Sequence, residues 1–109
     1  MPRPRAYSPL TVDAARLLGS RVRLARRERR WTLKELAERV GVTEVTMQKV
    51  ERGDLSVRLG IAFEAAAILG VPLFHENRER RALEAMHVAD RLALLPQSVR
   101  QPAAFDDDF

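Results

Sequence analysis

The chain has 109 residues, enough for one domain with one modest core, and no cysteine, which excludes a disulfide framework and cysteine-ligated zinc. No apolar run approaches the roughly 18 residues that a bilayer span requires, and MPRPRAYSPL has no apolar stretch behind its charges, so a cytoplasmic protein without a secretory leader is expected. The net charge of +4 is uneven: residues 1–58 hold 14 Lys/Arg against 7 Asp/Glu and residues 59–109 hold 5 against 8, so the first half suits a polyanion, either nucleic acid or an anionic membrane surface.

Residues 1–10, with Pro2, Pro4 and Pro9, read as a flexible arm. Thr11 is the expected N-cap of a first helix, with Asp13 in its first turn. Leu17, Leu18, Val22 and Ala25 recur at helical spacing. Gly19 marks a point where this helix is expected to break. Seven of the fifteen residues 16–30 are arginine, pointing to several sides of the helix, so only two or three of them can reach a common partner.

The next start is sharp. Thr32-Leu33-Lys34-Glu35 fits a capping box, in which the Thr32 hydroxyl accepts from the Glu35 amide and the Glu35 carboxylate reaches back to the Thr32 amide. Leu36, Ala37 and Val40 share one face of the helix that follows, and Gly41 permits an abrupt left-handed stop. Thr43 caps a third helix, EVTMQKVER, with Met47 and Val50 as its apolar positions and Gly53-Asp54 as its end. Ser56 is the expected cap of a fourth helix, Val57 to Leu69, apolar enough to be buried. Gly70 and Pro72 stop it. Residues 73–95 read as a further helix or two, ended by Pro96. No strand pattern and no internal repeat is present.

Nothing in the chain points to an enzyme. His75 and His87 have no second-ligand pattern around them, and no phosphate loop, nucleophile elbow or metal spacing occurs. Both histidines are expected to be exposed helix residues, and no cofactor or metal is implied. A membrane-bound reading is disfavoured because the face opposite the arginines of the first helix carries only Leu, Val and Ala, sufficient for a core contact.

Two short helices joined by a glycine turn, after a basic helix, are the parts of a helix-turn-helix. The stretch TLKELAERVGVTEVTMQKVERG resembles the Cro/repressor (XRE-type) helix-turn-helix family. The matching positions are Leu36-Ala37, Gly41-Val42, Thr43, Thr46, Met47, Val50 and Glu51-Arg52-Gly53, and a wider likeness spans residues 17–75. The resemblance implies an all-α, lambda-repressor-like five-helix domain over residues 11–75. A C-terminal helical extension over 76–96 and a flexible acidic tail over 97–109 complete the expected organisation. It also implies that the second helix of the motif lies in the major groove. Glu44, Val45, Gln48 and Lys49 then face base edges: Gln48 suits adenine, Lys49 guanine, Val45 a thymine methyl, and Glu44 either cytosine N4 or simply the positive end of its own helix. Arg23, Lys34, Thr43 and Thr46 are the phosphate candidates. Arg26 and Glu51 fall at positions that form a buried ion pair in relatives. Leu33 departs from the family, which often has Gln there to bind phosphate and brace the first reading residue.

The resemblance implies a DNA-binding repressor, a homodimer on an inverted-repeat operator. Leu83, Met86 and Leu92 are candidates for either the dimer contact or an intramolecular core. The stretch after the fourth helix, with LALLPQSVR and the terminal DDDF, also looks like small HipB-type antitoxins, which implies a HipA-like kinase toxin as partner and autoregulation of the operon. A stand-alone repressor is the alternative. Phe105, Asp106, Asp107, Asp108 and Phe109 are the candidate partner contact; a solvating tail, or one that competes with DNA for the basic surface, are the other readings of the same residues.

Overall fold

A computed structural model describes residues 5–75 and 77–97, and among these residues there are five α-helices and no strand. The chain divides into two units between Leu73 and Phe74. The first holds α1 (Pro9–Glu28), α2 (Leu33–Val40), α3 (Glu44–Arg52) and α4 (Leu59–Ile68). The second holds α5 (Arg78–Ala93).

The cap of α1 lies three residues before the expected one. Ser8, not Thr11, is the N-cap, and its hydroxyl accepts from the Thr11 amide. Pro9 follows at the first helical position, where its fixed φ fits and its missing N–H costs nothing. Nor does Gly19 break the helix, which runs unbroken for 20 residues. Gly19 is buried where α1 crosses α3: a Cβ there would lie 2.5 Å from the Val50 carbonyl oxygen and 2.6 Å from that of Glu51. The roughly 1 kcal/mol that glycine costs a helix is offset by the close crossing.

The core of this unit is formed by Val22, Leu36, Ala37, Met47, Val50, Ala65, Ala66, Leu69 and Val71. α2 and α3 each contribute a stripe at the helical spacing the sequence displays; α1 contributes Val22, with Leu18 and Ala25 packed beside it, while Leu17 is 54% exposed. α4 differs from expectation at both its start and its burial. Ser56 does not cap it; the Ser56 amide and hydroxyl both donate to Asp54 Oδ1, at 2.8 and 2.6 Å, closing a turn before the helix. Arg58 occupies the cap position and makes no side-chain capping bond. Only Ala65 and Ala66 of α4 are buried, and Leu59 is 66% exposed. A continuous apolar run does not record which side faces the core, so its composition overstates its burial. Gly70, at φ 70°, ends the helix as expected, and the Val71 amide returns to the Ala66 carbonyl at 2.8 Å.

In the second unit, Asn77 caps α5 by accepting from the Arg80 amide at 3.1 Å. No α5 side chain is buried. Leu83, Met86 and Leu92 are each more than half exposed, so the intramolecular-core reading of these three is not what the structure has. The acidic tail, including Phe105, Asp106, Asp107, Asp108 and Phe109, lies outside the described residues.

Candidate nucleic-acid interface

α2 and α3 are set by matched caps. Thr32 and Glu35 close the capping box reciprocally, each bond 3.1 Å long. The two hydrogen bonds at Thr32, backbone first, hold the Glu35 carboxyl below its usual range. Gly41 then turns at φ 87°, and its amide returns to the Ala37 carbonyl at 2.8 Å. Thr43 opens α3 by accepting from the Thr46 amide at 3.1 Å. Its own hydroxyl donates to Thr46 Oγ1 at 3.1 Å. In this arrangement the Thr43 proton is used internally, and the Thr46 proton is the one free to donate outward.

α3 has two opposite sides. Met47, Val50 and Glu51 are buried, which fixes the helix against α1 and α2. Glu44, Val45 and Gln48 are exposed and Lys49 is half-buried. These four, at i, i+1, i+4 and i+5, share one face. An acid, an apolar branched side chain, an amide and an ammonium therefore stand together on a rigid helix, a set able to address donors, acceptors and methyl groups alike.

The phosphate candidates come from α1, α2 and α3. Lys34 is exposed at the start of α2. Arg23, on α1, keeps 45% of its side chain exposed while its Nε lies 3.4 Å from Glu51 Oε1. A third group was not legible in the sequence. Arg58 and Ser56, in the α3–α4 connection, share a shallow cleft of about 190 Å³ with Thr46 and Lys49. The only sequence signal for Arg58 is a basic residue shortly after the motif.

Three other arginine-rich features are scaffold. Arg26 Nε donates to Glu51 Oε2 at 2.7 Å and Nη2 to Oε1 at 3.0 Å, a two-point pair below the surface. Arg26 Nη1 also donates to the Trp31 carbonyl at 2.8 Å. The bond to Glu51 raises the Arg26 pKa further, so its charge is permanent. Arg29 donates to the carbonyls of Ile68 and Leu69, at 3.1 and 3.0 Å, and so closes the C-terminal end of α4. Trp31 is partly buried on the core, with Arg29 and Arg39 5.3 and 4.0 Å from its ring centroid. Leu33, the departure from the expected glutamine, packs against the same core.

A helix-turn-helix family model matches residues 22–75. This segment is a helix-turn-helix domain. The match supports a DNA-binding transcription regulator of the Cro/XRE type. No curated protein and no solved structure matches the chain. Within the helix-turn-helix, α2 and α3 are the paired helices and Gly41 is the turn. Among the described residues no group of three metal-ligating side chains exists, and no helix is long and apolar enough to cross a membrane. His87 is exposed on α5 as expected, but His75 is exposed before that helix rather than in one, and its Nδ1 accepts from the Asn77 amide at 3.0 Å.

Proposed function

We propose that the protein is a sequence-specific repressor that binds an inverted-repeat operator as a homodimer, each copy placing α3 in the major groove. The observation that carries this reading is the division of α3 into a buried side, Met47, Val50 and Glu51, and an exposed side, Glu44, Val45 and Gln48 with Lys49 beside them. Glu44, Val45, Gln48 and Lys49 read base edges. Arg23, Lys34, Thr46 and Arg58 hold the flanking phosphates, and Thr43, whose proton goes to Thr46, orients the Thr46 hydroxyl for that contact. Two-fold symmetry sets the half-sites about one helical turn, 10–10.5 bp, or a multiple of it apart.

Selection from a random duplex library with the purified protein tests this. An enriched inverted repeat, protected from cleavage in two adjacent major grooves, is the expected result. Recovery of no common sequence at moderate salt would remove the repressor reading.

The antitoxin role is a finer proposal and rests on the pattern SVRLGIAFEAAAILG, a charged helix, LALLPQSVR and the terminal DDDF. Deleting residues 103–109 separates the readings of that ending. Loss of binding to a co-expressed HipA-like kinase with DNA binding intact supports the antitoxin. Tighter DNA binding supports a tail that competes for the basic surface. No change in either supports a stand-alone repressor with a solvating tail.

A further inference from the structure

α5 is a 16-residue helix without a buried side chain. Isolated helices of about that length are marginal in water, and most gain their stability by burying an apolar stripe. α5 has such a stripe. Ala85, Val88 and Leu92 follow one another at spacings of three and four, the pattern of a helix-pair seam. Val88 is 50% and Leu92 64% exposed. With Phe74 they line an open cleft of about 440 Å³. Arg81 borders the same cleft, with its Nη1 donating to the His75 carbonyl at 2.7 Å, so its methylenes extend the seam.

The flanks of the seam say what covers it. At about 100° per residue, Arg80, Glu84, His87 and Arg91 lie together on one side of Val88, and Ala82 and Ala89, with Arg78 at the helix start, on the other. In a parallel pair of such helices, the charged flank of each would meet the alanine flank of its partner. In an antiparallel pair, like flanks meet. Glu84 then lies beside Arg91 of the partner subunit, the same contact recurs by symmetry, and the alanines meet on the far side, where their small size lets the axes approach. Only the antiparallel arrangement matches Glu84 with Arg91, and it sets Arg80 beyond that contact, opposite Leu95 of the partner subunit.

We infer that α5 pairs with α5 of a second copy, antiparallel, through Ala85, Val88 and Leu92, with two Glu84–Arg91 contacts fixing the direction. Leu83 and Met86 lie about 140–160° around the helix from Val88 and are not in this contact. The inference rests on the two-fold reading above for its use, and names the surface that makes the pair.

Sedimentation equilibrium of the full chain without DNA tests it. The wild type sediments as a dimer at micromolar concentration. Glu84→Arg and Arg91→Glu each put like charges together and weaken association by about tenfold. The double swap, Glu84→Arg with Arg91→Glu, restores it. Val88→Asp gives a monomer whose circular dichroism keeps the signal of α1–α4. A wild-type monomer, or a double swap no better than either single one, overturns the proposal. A dimer indifferent to all these changes that still selects an inverted repeat also overturns it, while leaving the operator reading intact. A dimer that responds as described but selects no DNA sequence upholds the pairing and removes the operator reading.

Discussion

Arg26 and Glu51 meet fork to carboxylate, at 2.7 and 3.0 Å, and so join α1 to the back of α3. The Glu51 side chain is only 3% exposed. Removing one partner leaves the other buried and uncompensated, which costs about 3–5 kcal/mol. Glu51→Ala and Arg26→Ala are each expected to lose that much in urea unfolding. Replacing both with apolar residues of similar volume recovers most of the loss, because no charge is then stranded. A double mutant as unstable as the sum of the singles would speak against the pair as the cause.

Gln48→Ala and Lys49→Ala are expected to lose about 1–3 kcal/mol each on the preferred operator, and less on altered sites, so that sequence preference relaxes. Arg58→Ala and Lys34→Ala weaken all duplexes about equally instead. With three cations on phosphate per copy, Arg23, Lys34 and Arg58, a dimer neutralises about six phosphates, and its log K falls against log salt with a slope of about −5. Fluorescence anisotropy over a salt series on matched and altered duplexes measures both effects. Unchanged base preference after loss of Gln48 and Lys49 would contradict the groove assignment.

The motif itself was plain in the sequence because its signals are local. The Thr32–Glu35 box, the Gly41 stop and the Thr43 cap each depend on residues within four positions. What the sequence hid were contacts across long separations and choices of side. Nothing near Arg29 points to carbonyls 39 and 40 residues away. Ser56 has the chemistry of a cap, yet Asp54 two residues earlier competes for it and wins. Thr11 and Ser8 are both good caps, and Pro9 decides between them. At α4 the apolar run was legible but its facing was not, since a helix apolar on every side carries no periodic signal.

Two carboxyls give the fold an acid-side sensitivity. Asp54 is held below its usual range by the Ser56 hydroxyl first and the Ser56 amide second, as Glu35 is by Thr32. A depressed native pKa means the unfolded chain takes up protons first as pH falls. The stabilisation is therefore complete above the ordinary carboxylate range, about 4, and is lost as pH falls through the depressed values. Thermal melts between pH 6 and 2.5 should show Tm falling at the acid end, less steeply in Glu35→Gln and Asp54→Asn. Parallel curves for all three proteins would exclude these groups as the source.

Arg30 adopts φ 60° at the α1–α2 turn without being glycine. That conformation costs an ordinary residue about 1–2 kcal/mol. Arg30→Gly is expected to raise stability by up to about 1 kcal/mol, after the extra entropy of the unfolded chain is subtracted. A destabilised variant in denaturant titration would show that the Arg30 side chain contributes more than its backbone strain removes.

Substitution at the glycines should separate two kinds of need. At Gly41 a Cβ meets nothing within 4 Å, so Gly41→Ala costs only the left-handed backbone, about 1–2 kcal/mol, and Gly41→Asn less. At Gly19 the Cβ would strike two backbone carbonyls, and backbone cannot rotate aside as a side chain can. Gly19→Ala should therefore cost at least as much, and should also displace α3. Its distinguishing mark is a loss of operator affinity under conditions where the protein is still fully folded.

Under the proposed reading, that places a control behind the helix that reads the bases. The tilt of α3 is fixed from its rear, at a position with room for a hydrogen and nothing larger. If α3 reads bases, its sequence preference can drift without any change to Glu44, Val45, Gln48 or Lys49, by alteration of the bearing on which they are mounted.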